Sequence, residues 1–105
     1  MKFILADYMK RADMLAATLT KMLYTVDSQH IEITSESRAM ATDYLGMYKQ
    51  YKEKLVVDSR ASVYNGDINY DWFVGPNGYK VQGLLALDTF GKSAQKKVSS
   101  CVTGK

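Results

Sequence analysis

The 105-residue chain holds little of what usually carries chemistry: one Cys (Cys101), one His (His30), one Pro (Pro76) and one Trp (Trp72). A lone cysteine cannot close an intrachain disulfide. In a chain this small that favours a reducing, intracellular setting, and a cytoplasmic protein is expected. One His and one Cys cannot assemble a zinc set, and no site can use two imidazoles. A Cys101–His30 nucleophile pair is formally available, but both residues fall in segments that read as turn or tail and not as rigid scaffold. Long apolar runs are missing too. Met1-Lys2-Phe3-Ile4-Leu5-Ala6 opens like a signal peptide, yet Asp7, Lys10, Arg11 and Asp13 interrupt it. No run approaches the ~20 apolar residues that cross a bilayer, so neither export by this route nor membrane insertion is expected.

What is present is an amphipathic pattern. Hydrophobic residues make up 47% of the chain and charged residues 24%, an ordinary balance for a globular domain with its own core. Met1, Leu5, Tyr8, Ala12, Leu15, Leu19, Met22 and Val26 alternate spacings of four and three, with Ile4, Ala16 and Leu23 widening the stripe. This predicts a helix from about Lys2 to Thr25 that packs lengthwise against another helix. Asp27-Ser28-Gln29-His30 supplies turn chemistry, Ile31-Glu32-Ile33 reads as a short extended piece, and Thr34 or Ser35 caps the next helix with Glu36 in its first turn. A second seam, Met40, Tyr44, Met47, Tyr51 and Leu55, predicts a helix from about 35 to 60. Gly46 inside it costs about 1 kcal/mol relative to Ala and makes sense where another backbone approaches, for instance near Ala12, Ala16 and Ala17.

The chain then changes character. Gly75-Pro76-Asn77-Gly78 has the residues of a type I turn, with Trp72-Phe73-Val74 before it and Tyr79-Lys80-Val81 after it, so a β-hairpin is expected. Leu84-Leu85-Ala86-Leu87 is buried in any structure, and Asp88 or Thr89 is a candidate cap for a short last helix ending near Cys101. The expected fold is mainly α (α+β): an antiparallel two-helix hairpin over about 2–60, a small C-terminal β-hairpin and short last helix over about 66–101, and a frayed tail at 102–105. These form one domain. Helix 1 is apolar over more than a narrow seam, which favours a homodimer that covers the remainder.

Short motifs narrow the function by exclusion. Gly91-Lys92-Ser93 ends like a phosphate-binding loop, but Ala86 stands where that loop needs a Gly. Asp67-Ile68-Asn69-Tyr70-Asp71 spaces three oxygen side chains as a calcium loop does, but Trp72 and Gly78 replace the Gly and the bidentate Glu. Tyr64-Asn65-Gly66, Ile68, Asp71 and Val74-Gly75-Pro76-Asn77 resemble the turn of peptidoglycan-binding repeats. In this chain Asn69-Tyr70 is inserted, Trp72 replaces a Gly, and Gly78 replaces the Thr that caps the following helix. That resemblance covers under a fifth of the chain and implies a cell-wall binding module as a lesser alternative.

No catalytic residue, metal site or cofactor is indicated. Tyr44, Tyr48 and Tyr51 alternate with Lys49, Lys52 and Lys54, but the tyrosines follow the seam while the lysines point largely elsewhere. Residues 89–105 hold Lys92, Lys96, Lys97 and Lys105 with no acid, so a nucleic-acid-binding accessory protein using Lys92, Lys96 and Lys97 is the second reading. The first is a small non-catalytic module that binds another protein. Tyr and Met are abundant here, and with the single Trp they suit such a surface. One concrete version is a phage or mobile-element inhibitor of a host or defence protein, by analogy alone. Its candidate partner-binding residues are Tyr70, Asp71, Trp72, Phe73 and Tyr79, where one of the adjacent aromatics is expected on the surface beside the carboxylates.

Overall fold

The computed structural model describes residues 3–57, 63–64 and 72–102, with side chains for 7–53 and 73–102. The element order is β1 (Phe3–Ile4), α1 (Leu5–Ser28), α2 (Ser35–Val57), β2 (Val63–Tyr64), β3 (Trp72–Val74), β4 (Lys80–Gln82) and α3 (Leu84–Val102). The mainly helical fold with a small antiparallel hairpin matches the sequence expectation. Its two ends differ in detail. The first helix starts at Leu5 and not near Lys2, because Phe3 and Ile4 are extended and pair antiparallel with Tyr64 and Val63. Aromatic and β-branched residues on both partners suit that short ladder.

Helix α1 runs three residues past Thr25 and closes in a Schellman motif. The Ile31 N–H donates to the Val26 carbonyl at 2.9 Å and the His30 N–H to the Asp27 carbonyl at 3.4 Å. His30 sits at the left-handed position with φ of 56°. Helix α2 starts on Thr34, whose Oγ1 accepts the Ser37 N–H at 3.0 Å while its hydroxyl donates to Ser37 Oγ at 2.7 Å. An Arg38–Asp27 ion pair at 3.0 Å spans the connection.

The last helix is the main departure. It is 19 residues long, not short, and it begins at Leu84. Its cap is neither Asp88 nor Thr89: Gly83, with φ of 91°, turns β4 straight into the helix, and its carbonyl accepts the Leu87 N–H at 3.1 Å. Leu84, Leu87, Gly91, Ala94 and Val98 then form a seam of their own, all buried. Val102 is still helical, so the frayed tail does not begin there; residues 103–105 lie outside the described residues.

Helix α3 packs on both partners. It runs antiparallel to α2, with Lys97 near Glu36 and Gly91 against the Tyr44 ring. It runs parallel to α1, with Asp88 near Arg11 and Val102 beside Met22. The core lies between the three helices: Leu19 and Val26 from α1, Tyr44, Met47 and Tyr51 from α2, and Leu84, Leu87 and Val98 from α3, each almost wholly buried. The wide stripe of α1 is therefore shared between α2 and α3.

The hairpin β3–β4 aligns Phe73 with Val81 and Val74 with Lys80. Its loop is a β-turn closed by the Gly78 N–H on the Gly75 carbonyl at 3.0 Å, with Gly78 at φ of 93° and the Gly75 N–H on the Tyr79 carbonyl at 2.8 Å. This is the three-residue loop in which a glycine follows a type I turn. Gly46 does have a close neighbour, but it is not helix α1. A Cβ there would stand 3.2 Å from Pro76 Cδ at the tip of the hairpin.

Candidate functional site

The aromatic cluster expected at the hairpin divides. Phe73 packs its ring on Tyr51, centroids 4.0 Å apart, and Tyr79 packs on Phe90 at 5.3 Å. Both are half-buried against the core, so neither is an exposed anchor. Tyr70 and Asp71 lie outside the described residues, as does the side chain of Trp72. The Asp67–Asp71 motif falls there as well, as do Asn65, Gly66 and Ile68 of the peptidoglycan-binding resemblance. In the described part of that resemblance Val74, Pro76 and Asn77 are exposed, while Gly75 is buried and Asn77 is tied to α2. The buried Asp43 carboxylate accepts the Asn77 backbone N–H and side-chain amide, each at 3.0 Å, and the Tyr79 N–H at 3.4 Å.

The lysines of the nucleic-acid reading stand on α3 and not on a tail. Lys92 is 3.3 Å from Asp88 and Lys97 is 3.8 Å from Glu36, which leaves Lys96 without an ion-pair partner among the described residues. Cys101 is also in the last turns of α3, with its Sγ 3.8 Å from Ser37 Oγ at the start of α2.

A surface concavity lies along the outer seam between α1 and α2, with no α3 residue in its lining. It is an open groove of about 830 Å³. Its floor is formed by Ala16 and Ala17 from α1, which are small, and by Leu45 from α2. Tyr24 and Tyr48 stand along it, and Lys21 and Lys49 line it, one from each helix. Tyr24 is 72% exposed, an unusual position for a large aromatic.

One end of the groove is closed by a polar knot. The Tyr48 hydroxyl donates a short hydrogen bond to Asp13 Oδ1, and Lys52 Nζ reaches the same oxygen at 3.1 Å and the Tyr48 oxygen at 3.2 Å. Lys52 also lies 5.6 Å from the centroid of the Tyr48 ring. Partial burial pushes the Asp13 carboxyl up, but the hydrogen bonds from Tyr48 and Lys52 outweigh it and hold it below the ordinary carboxylate range. Burial, followed by the hydrogen bond to Asp13, raises the Tyr48 phenol above its ordinary value. A phenol used as a base or nucleophile needs the opposite shift. The knot therefore suits a fixed wall and not a reacting group.

A second cleft, between α1 and α3, holds Asp88 with Arg11 at 3.9 Å and Lys92 at 3.3 Å on one carboxylate oxygen. Its other oxygen is buried without a hydrogen-bond partner among the described residues. Among the described residues no three His, Cys, Asp or Glu side chains converge as a metal set would, and no helix is long and apolar enough to cross a membrane.

Ala17, Thr20, Lys21, Tyr24 and Lys49 were missed because they fall off both seams, while Ala16 and Tyr48 read as seam residues. The available signal was the Ala16-Ala17 pair next to Thr20, small side chains where a helix–helix contact leaves room, and Tyr24 out of phase with the apolar stripe. Comparison with protein-family models, with curated proteins and with solved structures gives no match to this chain.

Proposed function

We propose that this protein is a non-catalytic binding module that engages another protein through the α1–α2 groove. The observation that carries this reading is the groove itself: an open, mainly apolar trough with an exposed tyrosine and two lysines at its margin. Aromatic groups over an apolar centre, surrounded by charge, are the composition of a protein-recognition patch. Asp13, Tyr48 and Lys52 at its end already pair with one another, and this favours binding over chemistry. Holding a host or defence enzyme inactive by occupying one of its surfaces is a particular case of the same activity.

Affinity capture from lysate, with and without nuclease, tests this when the wild-type chain is run beside Ala17→Arg. Ala17 is exposed, so the arginine blocks the groove without entering the core. A protein partner that survives nuclease and is lost with Ala17→Arg supports the reading. Loss of every partner on nuclease treatment overturns it in favour of nucleic acid held by Lys92, Lys96 and Lys97.

A further inference from the structure

Resting on that reading, we infer that the α1–α2 groove takes an amphipathic α-helix with acidic flanks from another protein. Three observations point to this occupant. The first concerns hydrogen bonds. Both walls are helices, whose backbone groups are already paired within each helix, so the groove offers nothing to an extended strand. A strand seated there would leave its own N–H and C=O groups unpaired, whereas a helix arrives with them satisfied. The second is size. Asp13 to Tyr24 marks the length of the groove along α1, about 16 Å at 1.5 Å per residue, which is three turns of an incoming helix. The Ala16-Ala17 floor lets that helix approach closely, with apolar side chains at i, i+3 and i+7 between Leu45 and Tyr24.

The third observation is charge. Asp13 is the acid on the groove, and Lys52 and Tyr48 already satisfy it. Lys21 and Lys49 are exposed, and neither has an ion-pair partner among the described residues. The margin therefore presents uncompensated positive charge and complements carboxylates flanking the apolar stripe of the guest. A second copy of this chain fits worse, since two such grooves face to face would oppose lysine to lysine. A nucleic acid would find two cations beside an apolar floor that does not pair with phosphate.

The test is selection of a displayed library of helix-forming peptides, about 18 residues long so that each can be helical alone, on the full-length protein. Enriched sequences should carry apolar residues at helical spacing flanked by Asp or Glu. Ala17→Arg should weaken their binding at least about tenfold, and Lys21→Glu combined with Lys49→Glu should do so by about tenfold at low salt, less at high salt. Lysine-flanked versions of the same peptides should prefer the Glu variant. Thermal melting of each variant verifies that the fold is intact. Enriched peptides that are basic or extended, or that bind Ala17→Arg unchanged, overturn the occupant but leave a protein-binding module standing. Enrichment of no peptide, with binding of a single-stranded oligonucleotide instead, overturns both. Sedimentation that shows a dimer abolished by Ala17→Arg replaces the acidic helix with a second copy.

Discussion

Asp43 and Asn77 are 34 residues apart in sequence, and the Asp43 carboxylate receives both the backbone N–H and the side-chain amide of Asn77. Through this pair, and the Tyr79 N–H on the other carboxylate oxygen, the buried acid of α2 holds the hairpin tip. Gly75 makes the approach possible, because a Cβ there would sit 2.5 Å from Asp43 Cβ. The hairpin in turn ends in Gly83, which launches α3. One carboxylate thus helps set the position of the helix that packs on both others.

Asp43→Ala should lower stability by about 2–4 kcal/mol, since it removes a charged acceptor and leaves partly buried N–H groups unpaired. Asp43→Asn should cost less, about 1–2 kcal/mol, because its amide carbonyl can still serve Asn77. Urea denaturation measures both. Equal losses for the two variants would show that packing and not hydrogen bonding is what Asp43 supplies.

Three glycines separate space from conformational freedom. A Cβ on Gly91 would fall 2.5 Å from the Tyr44 ring, and one on Gly46 would fall 3.2 Å from Pro76 Cδ. Gly91→Ala should therefore destabilise by about 1–3 kcal/mol, as α3 is forced off α2. At Gly46 the helix-propensity gain of about 1 kcal/mol offsets a mild contact, so Gly46→Ala should stay close to wild type. Gly75→Ala should resemble Asp43→Ala. Thermal melts of the three variants suffice to rank them.

Much of the helical framework was legible because seams with spacings of three and four declare themselves. The Tyr44, Met47 and Tyr51 seam is buried as its phase predicted, and Thr34 caps α2. The Gly75–Gly78 turn was legible from turn chemistry alone. The extent of α3 was not, although Leu84, Leu87, Gly91, Ala94 and Val98 repeat at helical spacing. The compact Leu-Leu-Ala-Leu run suits either secondary structure, and the cap is a glycine at positive φ with no side chain to announce it. The groove was harder still. It is defined by what two helices leave open between them, and periodicity reports only what each helix buries. Leu15 shows the same limit: it lies on the seam yet is only half-buried, at the α1–α3 cleft.

His30 holds the left-handed position that closes α1, a conformation that costs a residue with a Cβ about 1 kcal/mol or more. It is exposed, so its side chain gives little back. His30→Gly should preserve the Val26–Ile31 closure and raise stability by about 1 kcal/mol, or a few degrees in Tm for a domain of this size. A lower Tm would reveal a contact of the imidazole that outweighs the backbone strain.

Tyr44 sets the alkaline limit. Its ring is fully buried and its hydroxyl donates to the Ala12 carbonyl at 3.3 Å. Burial, reinforced by the negative charge of Asp88, pushes the phenol well above its ordinary value of 10.0. In the unfolded chain Tyr44 ionises near that ordinary value, while in the folded chain it keeps its proton. The folded state therefore binds more protons above about pH 10, and stability falls as pH rises through that region. Below pH 10 both states are protonated and Tyr44 contributes no slope. The knot of Tyr48 and Lys52, both held above their ordinary values, acts in the same direction but is exposed enough to count for less. Tyr44→Phe should be less stable at pH 7, having lost the hydrogen bond to Ala12. Its urea midpoint should nevertheless decline less steeply than the wild type's above pH 10. Parallel decline of the two proteins would mean that Tyr44 ionises as readily in the fold as outside it, and that the helix contacts around it open well before global unfolding.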